Sequence, residues 1–255
     1  MGIKRRLSLR TEARKESGFT LVELMLALLL TGITLAVIYK TFTIQRTIYL
    51  SQDMVIEVQQ NLRAVLGIMV RKIRMVGYDP QKTGQFGFKN LPGIGAPDYG
   101  RVTSSSGICF YVDINGNGTV DSDPDEQVAF RLNVAQDGTS LDGSPGREPD
   151  YVLRRYSTGT VKWQPMAENI EALNFVYLDE EGKPIPEDSL ASRLADIRSV
   201  QIAIVGRTKR QEKNYKNYTI FRNLQNQIIF SAPGDGYRRR MVTATVRCRN
   251  LGIGS

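Results

Sequence analysis

Two groups of side chains in this 255-residue chain are spaced for chemistry, and neither uses histidine, which the chain lacks. The first is DINGNGTVDSDPDE, residues 113–126, which carries five acids and no Lys or Arg. Asp113, Asn115, Asn117, the Thr119 carbonyl and Asp121 fall at the first, third, fifth, seventh and ninth places of a calcium loop, with Gly118 at the sharp turn. The twelfth place, where a bidentate Glu should close the shell, is Pro124. Asp123, Asp125 or Glu126 must substitute, and Asp125 completes the candidate calcium set. A second reading of the same residues needs no ion, because Asn115-Gly116 and Asn117-Gly118 are both strong turn dipeptides of a hairpin loop.

The second group centres on Glu23, the one ionisable residue in an otherwise apolar run at residues 19–38. Twenty residues make a helix about 30 Å long, the thickness of a bilayer's hydrocarbon core. Twelve Leu, Ile, Val or Phe residues favour insertion by roughly 4–7 kcal/mol, against about 2.5–3.5 kcal/mol for a carboxylate at mid-membrane and less near its edge. Insertion wins. Residues 1–18 hold six Lys or Arg and two Glu, so half of the formal net charge of +8 precedes the run. The positive-inside rule then predicts a cytoplasmic N-terminus, with residues 40–255 across the membrane. An ordinary secretory signal fits poorly, since no small-x-small cleavage site follows the run; the small residue, Gly18, stands before it.

The stretch GFTLVELMLALLL, residues 18–30, resembles the precursors of the type IV pilin family, which share a short basic leader ending in Gly, then Phe-Thr-Leu-x-Glu and an apolar run. The resemblance implies that a prepilin peptidase cuts the Gly18–Phe19 bond on the cytoplasmic side and methylates the new N-terminus at Phe19. It also implies that Glu23 faces the ammonium of a neighbouring subunit and sets register during assembly. A lone carboxylate in lipid is costly, and such a partner compensates it. A plainer reading stands beside this one: Glu23 complements the dipole at the helix N-terminus or snorkels to the interface.

These residues need elements to position them. Met54, Val58, Leu62, Val65, Met69, Ile73 and Val76 recur every three or four residues, the mark of an amphipathic helix over a core. Basic Arg71, Lys72 and Arg74, then Gly77 and Pro80, predict where it stops. With no proline before Pro80, one helix of nearly sixty residues, about 85 Å, is expected. Residues 77–107 hold seven Gly and three Pro and read as a long connection. Beyond it ICFYV, EQVAFRLNV, DYVLRRY, IEALNFVYL, IRSVQIAIV and MVTATVRCR alternate or run apolar, as strands of an antiparallel sheet do. The expected fold class is α+β: a long N-terminal helix, membrane-spanning in its first half, packed on an antiparallel β-sheet head. The expected division is a cleaved leader at 1–18, a hydrophobic transmembrane and assembly helix at 19–46, and an amphipathic helix with its sheet domain at 47–255. The C-terminal third, including DGYRRRMVTATVRCRNLG, resembles the larger minor pilins of the W type and, less closely, the J-type minor pseudopilins of type II secretion.

RTKRQEKNYKNYTIFR, residues 207–222, has six basic residues and one acid, interleaved with tyrosines. It suits DNA phosphates and bases, or simply a solvated loop. Arg238, Arg239 and Arg240 read as subunit-contact or solvent charges. Cys109 and Cys248 lie where disulfides persist, but their strand faces argue against pairing. No phosphate loop and no histidine base or zinc shell is present, so an enzyme is not expected. The resemblance implies a minor pilin that initiates or caps a type IV pilus, with other major and minor pilins, the prepilin peptidase and the bacterial inner membrane as partners. A J-type pseudopilin, or an adhesin or DNA-uptake receptor on the same anchor, is the alternative.

Overall fold

The computed structural model describes residues 18–90, 103–121, 123, 125–132, 152–157 and 163–252. The expected leader, apart from Gly18, lies outside them. The chain divides into two units, Met1–Leu50 and Ser51–Ser255, and helix α1 (Leu21–Arg74) begins in the first and ends in the second.

In the first unit every described side chain is exposed. The helix there contains an 18-residue window of mean hydropathy 2.5, long and apolar enough to cross a membrane. A helix that is apolar all round belongs in lipid or among other helices. Its threonine hydroxyls are satisfied within the helix: Thr31 donates to the Ala27 carbonyl at 2.7 Å, Thr34 to Leu30 at 2.8 Å and Thr41 to Val37 at 2.9 Å. None of these three needs water, as a segment in hydrocarbon requires.

In the second unit the helix acquires one buried face. Val58, Leu62, Val65, Met69 and Ile73 are buried at the expected spacing, and Met54 is half-buried. Basic Arg71, Lys72 and Arg74 fill the last turn, where they complement the carbonyl end of the helix. Gly77 ends the turn at φ +76°, and a Cβ there would lie 2.3 Å from the Leu251 side chain, so both backbone and space require glycine.

Ten strands follow among the described residues, all paired antiparallel. β1 (Gly87–Phe88), β2 (Gly107–Tyr111), β3 (Gln127–Leu132), β4 (Leu153–Ser157) and β5 (Gln164–Ala167) form a five-stranded meander in chain order. β6 (Ile170–Leu178) and β7 (Ser199–Arg207) begin a second sheet, with short helix α2 (Glu187–Leu190) between them. β8 (Ile220–Arg222) and β9 (Ile228–Ser231) form a separate hairpin, and β10 (Arg239–Arg247) returns to pair with β7, giving the order β10-β7-β6. Among the described residues, the expected antiparallel β-sheet head is thus built as two sheets and a hairpin. The chain changes sheet at Asn169, which takes a left-handed φ of 61° and whose carbonyl accepts the Arg207 amide at 2.9 Å.

The core lies where the helix face meets both sheets. Val200, Ile202, Ala203, Ile204 and Val205 are all buried, because β7 is central and covered on both faces. Its near-continuous apolar run follows from that position. Tyr177 ties the sheets together: its hydroxyl lies 3.0 Å from the Ser104 carbonyl and 2.9 Å from that of Gly107, and its ring meets Phe88 edge-on at 5.9 Å. Cys109 and Cys248 are both buried and are not joined in a disulfide. Burial pushes the Cys248 thiol up to about 12.

Candidate functional site

At the N-terminal end, Gly18 and Phe19 stand just before the helix, with Phe19 89% exposed. Thr20 and Glu23 close a reciprocal cap. The Thr20 amide and hydroxyl each donate to Glu23 Oε2 at 2.9 Å, and the Glu23 amide donates to Thr20 Oγ1 at 3.3 Å. This is the Thr-x-x-Glu capping box, which satisfies amides that the first turn leaves without helical partners. It accounts locally for a carboxylate at this position and was legible in the sequence as Thr20-x-x-Glu23.

The acidic loop joins β2 to β3. Asp113 is wholly buried, and its two oxygens accept the amides of Gly116 at 2.8 Å and Gly118 at 3.1 Å, which folds the loop over it. Gly116 and Gly118 both take positive φ, as that fold demands. The Asn115 side-chain NH2 donates to Asp121 at 3.3 Å and Asp123 at 2.7 Å, while the Asn117 NH2 donates to Asp121 at 2.8 Å. Thr119 turns its hydroxyl to Asn117 Oδ1 at 2.9 Å.

Asp125 goes elsewhere. Lys72, from the last turn of α1, reaches its Oδ2 at 2.7 Å; Arg155 pairs with its other oxygen, and the Ser157 hydroxyl donates to it at 2.8 Å. Among the described residues, the acidic side chains that the fold does gather are Asp121, Asp123 and Glu126, with one oxygen from each within 4.8 Å of the others, a group able to hold a metal ion. Glu126 has no exposed surface, and burial raises its pKa from the ordinary carboxylate range. Its position had a signal in the sequence: Glu126 is two residues before Val128 and four before Phe130, both fully buried, so it shares their inward face.

The basic stretch is partly spent inside the domain. Arg207 sits 3.4 Å from Glu171 and 4.3 Å over the Tyr237 ring, and Glu212 takes Arg238 at 2.6 Å and the Ser51 hydroxyl at 3.1 Å. Tyr215 lies under Arg238 at 4.3 Å. Lys209, Arg210, Lys213 and Lys216 remain exposed. In the Arg238–Arg240 triplet, Arg240 is exposed, whereas Arg239 departs from its reading as subunit-contact or solvent charge. Arg239 is buried, holding Glu171 at 2.5 and 2.9 Å and Asp235 at 2.6 and 2.7 Å in paired forks.

An exposed apolar helix with a capped N-terminus, continuing into an α+β head, is the arrangement of a type IV pilin-like protein. Residues 13–39 match the prokaryotic N-terminal methylation motif, and residues 51–228 match the model described as prepilin peptidase-dependent protein B. The chain belongs to that family of prepilin peptidase-dependent proteins. A type IV-like pilin from Thermus thermophilus is similar at 13% identity, over 76% of this chain and 97% of that one, with a TM-score of 0.41. No curated protein matches the chain. The apolar helix and the methylation motif are those of a membrane-anchored, pilus-assembled protein.

Proposed function

We propose that this protein is a minor pilin that helps to initiate or cap a type IV pilus. The observation that carries the reading is the exposed, proline-free apolar half of α1, which has one carboxylate, Glu23, in its first turn. Such a surface has two suitable environments, the bilayer and a bundle of similar helices, and assembly is the transfer from one to the other. Cleavage of the Gly18–Phe19 bond frees an ammonium at Phe19. Glu23 then pairs with the ammonium of a neighbouring subunit as the helices leave the lipid, which fixes their relative register. The cap does not compete with that role. Both Thr20 contacts fall on Oε2, so Oε1 can receive an ammonium while the capping box stays closed.

In this reading the basic leader stays in the cytoplasm, and residues 40–255 lie on the far side of the inner membrane until assembly. The prepilin peptidase and the other pilins of the fibre are the partners. The test is whether the chain, cut before Phe19, is recovered with sheared pili and whether its loss reduces piliation.

A further inference from the structure

Glu126 is anchored at the foot of the acidic loop by its backbone: its carbonyl accepts the Val112 amide at 2.8 Å, and its amide donates to the Asp123 carbonyl at 3.3 Å. Its side chain is therefore committed to the interior side of the loop. Oε2 accepts the Asp121 amide at 3.3 Å, while Oε1 is buried and has no hydrogen-bond partner. A buried carboxylate oxygen with nothing to receive is costly. The Glu126 carboxyl group lies in a cluster with those of Asp121 and Asp123, and Lys72 and Arg155 are turned to Asp125 instead. The positive poles directed at the cluster include the Asn115 and Asn117 NH2 groups, which supply only partial charge.

We propose that Asp121, Asp123 and Glu126 hold a calcium ion, with Glu126 as the closing ligand two places beyond the twelfth position of a standard loop. The donors are hard carboxylate oxygens in a loop rather than a rigid scaffold, which suits calcium's six to eight oxygen ligands. Two oxygens on opposite sides of one calcium, each about 2.4 Å away, are about 4.8 Å apart. The three carboxylates already lie within that span. Magnesium, in contrast, demands near-octahedral order at about 2.0–2.1 Å and gives up its waters reluctantly. Asn115 and Asn117 complete the shell by turning their amide oxygens inward as the ion replaces their NH2 groups. Asp113 shapes the loop through Gly116 and Gly118, and Asp125 fastens it to α1 and β4. The site is independent of the N-terminal assembly chemistry.

The test uses the full chain in detergent micelles, stripped with chelator and then melted in calcium or in magnesium. At calcium about a hundred times Kd, the wild type should melt about 5–10 °C higher, with little response to magnesium. Glu126→Gln should lose that rise, yet melt no lower than wild type in chelator, because the amide removes a buried charge without changing shape. Asp125→Asn should melt lower throughout but keep the rise. Calorimetric titration of the wild type should find one calcium per chain, which makes the test independent of any variant's folding. No calcium-specific rise and no bound ion at several millimolar would overturn the proposal, as would an undiminished rise in Glu126→Gln.

Discussion

Thr20 and Glu23 hold one another across the first turn of α1, each side chain accepting the other's backbone amide. A capping box works with Gln as well as Glu, whereas pairing with an ammonium needs the charge. Glu23→Gln therefore separates the two roles that a substitution by Leu would merge. The variant should insert in membranes at least as well as wild type and keep its helix, yet its recovery in sheared pili should fall on the order of tenfold or more. Normal recovery would reduce Glu23 to a helix cap.

Arg239 supplies a second test, directed at the head. Its guanidinium is wholly buried between Glu171 and Asp235, and Glu171 itself is 3% exposed. Removing Arg239 leaves Glu171, at 3% exposure, compensated only in part by Arg207 at 3.4 Å. Arg239→Leu should cost about 3–5 kcal/mol in denaturant unfolding. A change under about 1 kcal/mol would place this arginine with the surface charges that its sequence context implies.

Asp235, facing Arg239, and Glu212, facing Arg238, contribute to the pH response. The Arg239 hydrogen bonds hold Asp235 below the ordinary carboxylate range, and Arg238 does the same to Glu212. A depressed carboxylate pKa contributes stability that is present above the unfolded value and is lost as pH falls through the folded one. Stability from these two groups should thus be complete at pH 6 and decline below roughly pH 4. Arg238→Gln should flatten part of that decline, measured as the difference in unfolding free energy between pH 6 and pH 3. An unchanged acid dependence would show that the Arg238–Glu212 contact has no energetic role.

The helix and the longer strands were legible because each carries its own period. The Val58-to-Ile73 stripe marked the buried face of α1, and IEALNFVYL coincides with β6 from Ile170 to Leu178. β1, β5, β8 and β9 run for two to four residues, too short for alternation to stand out. The chain passes between the two sheets at one left-handed residue, Asn169, which no apolar pattern marks. In the candidate sites, Glu23 was prominent as a lone charge in an apolar run. Arg239 was hidden among three arginines because its partner Glu171 is 68 residues away. The acidic loop was visible as a cluster, but its spacing pointed to Asp125, and only the fold turns that residue toward Lys72 and Arg155 and leaves Glu126 inside.

The most direct measurement is the intact mass of the chain recovered from sheared pili, compared with the chain from cells lacking the prepilin peptidase. The account predicts a pilus-associated form that begins at an N-methylated Phe19, absent without the peptidase, with only the uncut precursor left in the membrane fraction. A chain in the pilus fraction that still carries residues 1–18, or one that begins beyond residue 38, would contradict it.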